Sequence, residues 1–212
     1  MAITESFLDA VSLAASRSAG PLTISWPTSG NPGSLILFET YRDWQRFVPR
    51  IALSDVIPQI VTDKFDRAKK LYLLAWIDMD LIKAGELVSL TALELALQDR
   101  YGDKLEKKGK GLNGLLQYMV QKDGWTDELI PMCATSGGTA VQNLYETESA
   151  RKERRGTTAA PPMTLAAIRN GLAHGAPFNS LPWGGLLELV RDLIAYAYRR
   201  QIEQLEAHVK SR

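Results

Sequence analysis

What this chain has least of is metal-binding and redox chemistry. Its 212 residues include two histidines and one cysteine. Cys133 alone cannot close an intrachain disulfide, which suits a reducing compartment, and no neighbouring histidine marks its thiol as reactive. One thiol and two distant histidines, His174 and His208, are too few for a zinc site. No metal and no cofactor is therefore expected. Long hydrophobic runs are missing too: the longest, Leu71 to Ile77, falls far short of the ~20 residues of a membrane-spanning helix. Glu5 and Asp9 stand where a secretory signal carries basic residues. These absences predict a soluble, cytoplasmic protein with no membrane partner.

A strong charge of either sign is also lacking. Twenty-five basic and 24 acidic residues leave a net charge of +1, which does not advertise a constitutive nucleic-acid binder. The clustering of the charges has to decide that question. There is no phosphate-binding G-x-x-x-x-G-K-[ST] loop and no G-x-G-x-x-G after a strand. G-x-S-x-G, the serine hydrolase elbow, is absent as well. Asp78 and Asp80, two apart, cannot share a helical face and give no carboxylate metal cluster.

What is present divides at about residue 60. Residues 1–59 read as an extension. A short amphipathic helix (Phe7, Leu8, Val11, Ala15) ends at Gly20-Pro21. Two β-rich runs follow, Leu22 to Trp26 and Ser34 to Phe38, joined by turn chemistry from Pro27 to Gly33; together they predict a hairpin. Since a lone hairpin is barely stable in water, it should pack on the following helices or on a partner. Tyr41, Trp44 and Phe47 then mark a short helix within Thr40–Arg50.

Residues 60–212 read as a helical domain. Val61, Phe65, Ala68, Leu71, Tyr72 and Ala75 follow helical spacing. A second long helix covers about Leu81 to Tyr101, continuous with the first or kinked near Asp80. Its stripe is Leu87, Leu90, Leu93 and Leu97, with Glu94 inside it. A buried carboxylate costs several kcal/mol or so unless paired. Glu94 therefore either faces the core and takes Arg169 as its cation, or marks the stripe's polar border.

A third helix spans Leu112 to Lys122, and 123–138 reads as loop. The segment from Ala140 to Arg155 could be helical, but Val141, Leu144 and Tyr145 promise little burial. It ends in Arg151, Lys152, Glu153, Arg154 and Arg155, either a solvated face or an arm that contacts phosphates. The last helix runs from Leu186 to about His208, a surface histidine in the tail.

Between these lies the stretch Leu165 to Gly175. Leu165, Ile168 and Leu172 form an apolar stripe, and Asn170 and His174, four apart, share a face with Arg169 beside them. Gly175 and Pro177 stop the helix. On this bare reading the three polar residues could simply cap the helix, since a cationic histidine is favoured near a C-terminus.

Arg169-Asn170-x-x-x-His174, at the end of a helix and ahead of a long terminal helix, resembles the R-x4-6-H signature of the HEPN superfamily. Ala92-Leu93-Glu94, Leu97, Arg100-Tyr101 and the helix around Leu112–Leu116 resemble the leading part of such domains. The resemblance covers about residues 60–207. It implies a mainly α fold, a HEPN-like bundle of four or five helices, here with an N-terminal extension that contains a β-hairpin. It implies a homodimer, a metal-independent endoribonuclease acting on RNA, and a place in toxin–antitoxin, phage-defence or RNA-processing systems. An antitoxin protein would then be a partner.

Physical chemistry agrees with those roles. Cleavage of RNA by its own 2′-hydroxyl needs a base and an acid, and histidine suits both because its pKa lies near working pH. One motif histidine per chain means that a two-histidine mechanism draws on two copies. Arg169 would stabilise charge on the phosphate, and Asn170 would orient His174 or the phosphate. Glu94 would support Arg169, and Arg151, Lys152, Arg154 and Arg155 would contact RNA. Trp125, Tyr145 and Trp183 are candidates for base stacking or for packing. The alternative is a catalytically silent bundle that binds RNA, a nucleotide or a protein.

Overall fold

The computed structural model describes residues 4–15, 20–106, 109–154, 163–175 and 182–210, apart from a few side chains within helices. The fold is mainly helical, with a two-stranded antiparallel hairpin near its N-terminus.

In the extension, α1 (Glu5–Ala15) precedes β1 (Leu22–Ser25) and β2 (Leu35–Phe38). Leu22 pairs with Phe38, Thr23 with Leu37, Ile24 with Ile36 and Ser25 with Leu35. This register turns Leu22, Ile24 and Phe38 inward and leaves Leu35 and Leu37 exposed, as the period of two requires. α2 (Tyr41–Phe47) starts with a capping box in which Thr40 and Asp43 satisfy each other's backbone amides, and a 3-10 turn (Val48–Arg50) continues it. Trp44, fully buried, donates its indole N–H to the Tyr72 carbonyl at 2.7 Å. Trp26 donates to the Glu188 carboxylate at 3.0 Å and meets the rings of Phe47 and Tyr72 edge-on. The hydrophobic core is therefore continuous across residue 60.

Two long helices follow, α3 (Gln59–Leu74) and α4 (Leu81–Tyr101). They are separate: the chain breaks over 75–80, where the Asp78 carboxylate accepts the Asp80 amide. Gly85 lets the two approach so closely that a Cβ there would lie 2.6 Å from the Tyr72 ring. α4 is the central helix. Leu90, Leu93, Ala96 and Leu97 are fully buried, and the small residues Gly85, Ser89 and Ala92 of the same helix are buried with them. Packed around it are α5 (Leu112–Gln121), α8 (Leu165–Ala173) and α9 (Leu186–Ala197).

Three expectations need correction. The 123–138 stretch holds a 3-10 turn (Asp127–Leu129) and α6 (Pro131–Ser136), ended by Gly137 at φ +77. The buried Asp192 of α9 accepts the Met132 amide at 2.9 Å, which satisfies an otherwise orphaned N–H at the start of α6. Leu144, expected to bury little, is fully buried. Asn113 of α5 pins the chain beside it, donating to the Glu146 carbonyl and accepting its amide. The helical part of that stretch is α7 (Glu148–Arg154).

The terminal helix is two helices, α9 and α10 (Arg199–Lys210), broken at Tyr198. Side chains take the carbonyls at the end of α9. Arg100 donates to Ala197 O at 3.2 Å and Arg199 to Tyr196 O at 2.9 Å, while the Tyr198 hydroxyl donates to Asp99 at 2.6 Å. At the other end of α9 the hairpin presses on the approach to the helix. A Cβ on Gly184 would lie 2.7 Å from Ser25 Oγ, and Gly185 takes φ +75 to begin the helix.

Candidate functional site at the end of α8

Thr164 caps α8, its hydroxyl accepting the Ala167 amide at 3.1 Å. Leu165, Ala166 and Leu172 bury the inner face and fix the helix on α4 and α5. That placement carries Arg169 to the flank of α4, where its Nη2 meets Glu94 Oε2 at 2.7 Å. The two side chains keep 28% and 23% of their exposure, so the pair sits at the edge of the core rather than inside it. Glu94 thus marks the polar border of the leucine stripe and also takes Arg169 as its cation. Arg169 Nη1 donates to Asn170 Oδ1 at 3.1 Å, and its Nε is buried without a partner.

His174 is the first residue past α8 and is exposed. Its amide donates to the Asn170 carbonyl at 3.0 Å, and Gly175 at φ +87 ends the turn. Asn170 therefore reaches His174 through its backbone, while its side chain is engaged by Arg169. The arrangement places a guanidinium held by a carboxylate, a carboxamide and an imidazole within the last turn of one helix. It can present hydrogen-bond donors and a proton acceptor to an anion at the surface.

The basic arm is less fully described. Arg151, Lys152 and Arg154 belong to α7, and Lys152 is exposed. The side chains of Arg151 and Arg154, and all of Arg155, lie outside the described residues. Of the candidate stackers, Trp125 is 2% exposed and offers no open face; its packing partner is Tyr196. Trp183 and Tyr145 are half-buried. Two clefts, of about 570 Å³ beside Tyr41 and Trp76 and about 470 Å³ beside Met132 and Trp183, include none of Arg169, Asn170 and His174.

Sequence reasoning missed a second carboxylate on α4. Glu86 is fully buried, with Lys83 at 2.9 Å and the backbone amide of Trp183 as partners. Burial pushes its carboxyl above the usual range despite the lowering by Lys83 and by that amide. Burial likewise raises the Tyr72 phenol, helped by the neighbouring Glu86, and the Tyr72 hydroxyl has no partner. The readable signal was Lys83 and Glu86 at i, i+3 in an otherwise apolar run. Glu86 thus holds the chain at Trp183, beyond the motif, while Glu94 holds the motif itself.

A third ionic cluster joins α4 and α10 through Asp123, in the turn after α5. Asp123 accepts two bonds from Arg199, at 2.8 and 3.0 Å, and one from Tyr101 at 2.7 Å. Partial burial pushes its carboxyl up, but those bonds outweigh it and hold Asp123 below the usual carboxylate range.

Comparison with known proteins yields no family model, no curated protein and no solved structure that matches this chain.

Proposed function

We propose that this protein is a metal-independent endoribonuclease of HEPN type, built from two copies of the chain. One observation supports it above the others: Glu94 fixes Arg169 beside Asn170 in the last turn of α8, and His174 stands exposed at the end of that turn. In this mechanism His174 of one copy takes the proton of an RNA 2′-hydroxyl, and the oxygen attacks phosphorus. The bond to the 5′-oxygen breaks as that oxygen receives a proton from His174 of the second copy. Arg169 stabilises the charge that gathers on the phosphate oxygens. The products are a 2′,3′-cyclic phosphate and a 5′-hydroxyl. Such a nuclease would serve a toxin or phage-defence system, held in check by an antitoxin protein.

The test is incubation of RNA with the purified chain in EDTA, followed by end-group analysis. Wild type is expected to leave cyclic phosphate ends, with His174→Ala slower by at least about 100-fold. Equal cleavage by the two sinks the reading.

A second reading rests on the same ion pair. Because Arg169 is occupied by Glu94 and Asn170, the motif can be a structural clasp in a silent bundle that binds RNA, a nucleotide or a protein. Binding of RNA without cleavage at any concentration of enzyme supports that reading instead.

A further inference from the structure

The hairpin of the extension has an open edge. Trp26 donates its amide to the carbonyl of Ser34 directly opposite it, and this fixes the alternation along the ladder. Ile24 with Ile36, and Leu22 with Phe38, are then the pairs that exchange hydrogen bonds, while Leu35 and Leu37 turn their amides and carbonyls away from β1. Among the described residues no backbone hydrogen bond reaches those outward groups. The same two residues carry exposed side chains, 70% and 54% accessible. The edge of β1 is different. A Cβ on Gly184 would lie 3.0 Å from the Ser25 carbonyl oxygen, so the approach to α9 runs against that strand.

Open edges are ordinarily blunted by lysine, proline or a bulge. β2 has none of these. It pairs residue for residue with β1, and residues 20–38 hold no charged side chain, although charged residues make up 23% of the chain.

We infer that β2 pairs edge to edge with β2 of a second copy, antiparallel about a two-fold axis at Ile36. The register follows from the side chains. Positions 33, 35, 37 and 39 face outward, so few alignments can form hydrogen bonds. Centring on Leu35 would set Leu37 against Gly33 of the second copy, and centring on Leu37 would set Leu35 against Glu39. Centring on Ile36 exchanges hydrogen bonds between Leu35 and the second copy's Leu37, sets leucine beside leucine, and keeps Glu39 away from its twin. The strand is thus complementary to itself. Having no charge, it carries nothing that would select an acidic or basic peptide instead. With Gly184 against β1, the joined sheet closes at two copies. The pairing stands on the hairpin alone and goes beyond the nuclease reading.

The experiment is sedimentation velocity of the full chain over a concentration series, with Leu35→Lys combined with Leu37→Lys beside wild type. The contact is small, so wild type is expected to form a weak, reversible dimer. The double variant should raise the dissociation constant at least about ten-fold. Its circular dichroism melt should match wild type, since both side chains are exposed in the single chain. Ile36→Cys reads the register. The pairing brings its two Cα atoms to about 4.5 Å, the spacing of a pair without hydrogen bonds, and a disulfide can span that. Copper phenanthroline should therefore give a covalent dimer of Ile36→Cys, and none of wild type, whose Cys133 is buried.

A wild type that stays monomeric throughout the series overturns the pairing and leaves the edge to an extended segment of another protein. A dimer indifferent to the two lysines overturns it as well, as does one in which Ile36→Cys stays uncrosslinked. Growth beyond the dimer overturns the closed two-fold. Failure of the nuclease reading looks different: covalent Ile36→Cys dimers form while wild type cleaves no RNA.

Discussion

Glu86 and Glu94 lie eight residues apart on the same helix and meet opposite surroundings. Glu86 is fully buried near Tyr72 of α3, paired with Lys83, and holds the amide of Trp183. Glu94 stands at the rim of the core and holds the guanidinium of Arg169. Each steadies one end of the stretch that carries His174. The difference lies in water. A carboxylate sealed from solvent loses hydration that its partner must replace, so removing that partner strands a charge. A carboxylate at the rim recovers most of its hydration when its partner leaves. The buried pair therefore bears on stability, and the rim pair holds its cation where solvent still reaches it.

The largest effect is expected at the buried pair. Lys83→Ala should destabilise the protein by about 3–5 kcal/mol in urea denaturation, the usual cost of an uncompensated buried charge. Lys83→Met combined with Glu86→Leu should recover most of that loss. If Lys83→Ala costs under about 1 kcal/mol, the two carboxylates do not differ as described. The acid–base sign follows from the raised pKa of Glu86. The folded state binds its proton more tightly than the unfolded state does. Between the ordinary value of 4.5 and the higher folded value, stability should fall as pH rises, and Glu86→Gln should remove that slope.

Next comes Asp123, partly buried and so intermediate between the two. Asp123→Asn should cost about 1–2 kcal/mol, allowing for the solvent that still reaches it. Its folded pKa is lowered, so the sign is opposite. The stabilisation is present above the ordinary value of 3.8 and disappears as pH falls through the lower folded value. The gap between wild type and variant should accordingly close in acid, as followed by melting temperature.

Smaller still is Glu94→Gln, at about 1 kcal/mol or less. On the nuclease reading it should nonetheless slow RNA cleavage, because Arg169 loses its anchor. A variant that is both stable and fully active would remove Glu94 from the site. His174→Ala should change stability least, within about 0.5 kcal/mol, and a larger loss would mark the imidazole as a structural cap.

How much of this was legible depended on where the cause lay. The hairpin and α4 were readable because the cause is local: turn chemistry between Pro27 and Gly33, and leucines at helical spacing up to Tyr101. The Glu94–Arg169 pair was readable because a carboxylate inside an apolar stripe asks for a cation. The break at Tyr198 was not, since the groups that end α9 include Arg100 and Asp99 of α4, far away in the chain. Glu86 escaped for a related reason. Its burial depends on how closely α3 approaches Gly85, and helical periodicity carries no record of that.

The contact of Trp26 with Glu188, across 162 residues, also sets a timetable. During synthesis the hairpin emerges early, yet the helix that receives its indole comes off the ribosome on the order of ten to thirty seconds later at ordinary translation speeds. Until then Leu22, Ile24, Trp26 and Phe38 have only part of their final cover. A strand pair that must wait for a later helix closes its part of the core late. Nascent chains of this protein should consequently be good clients for chaperones that shield exposed apolar strands.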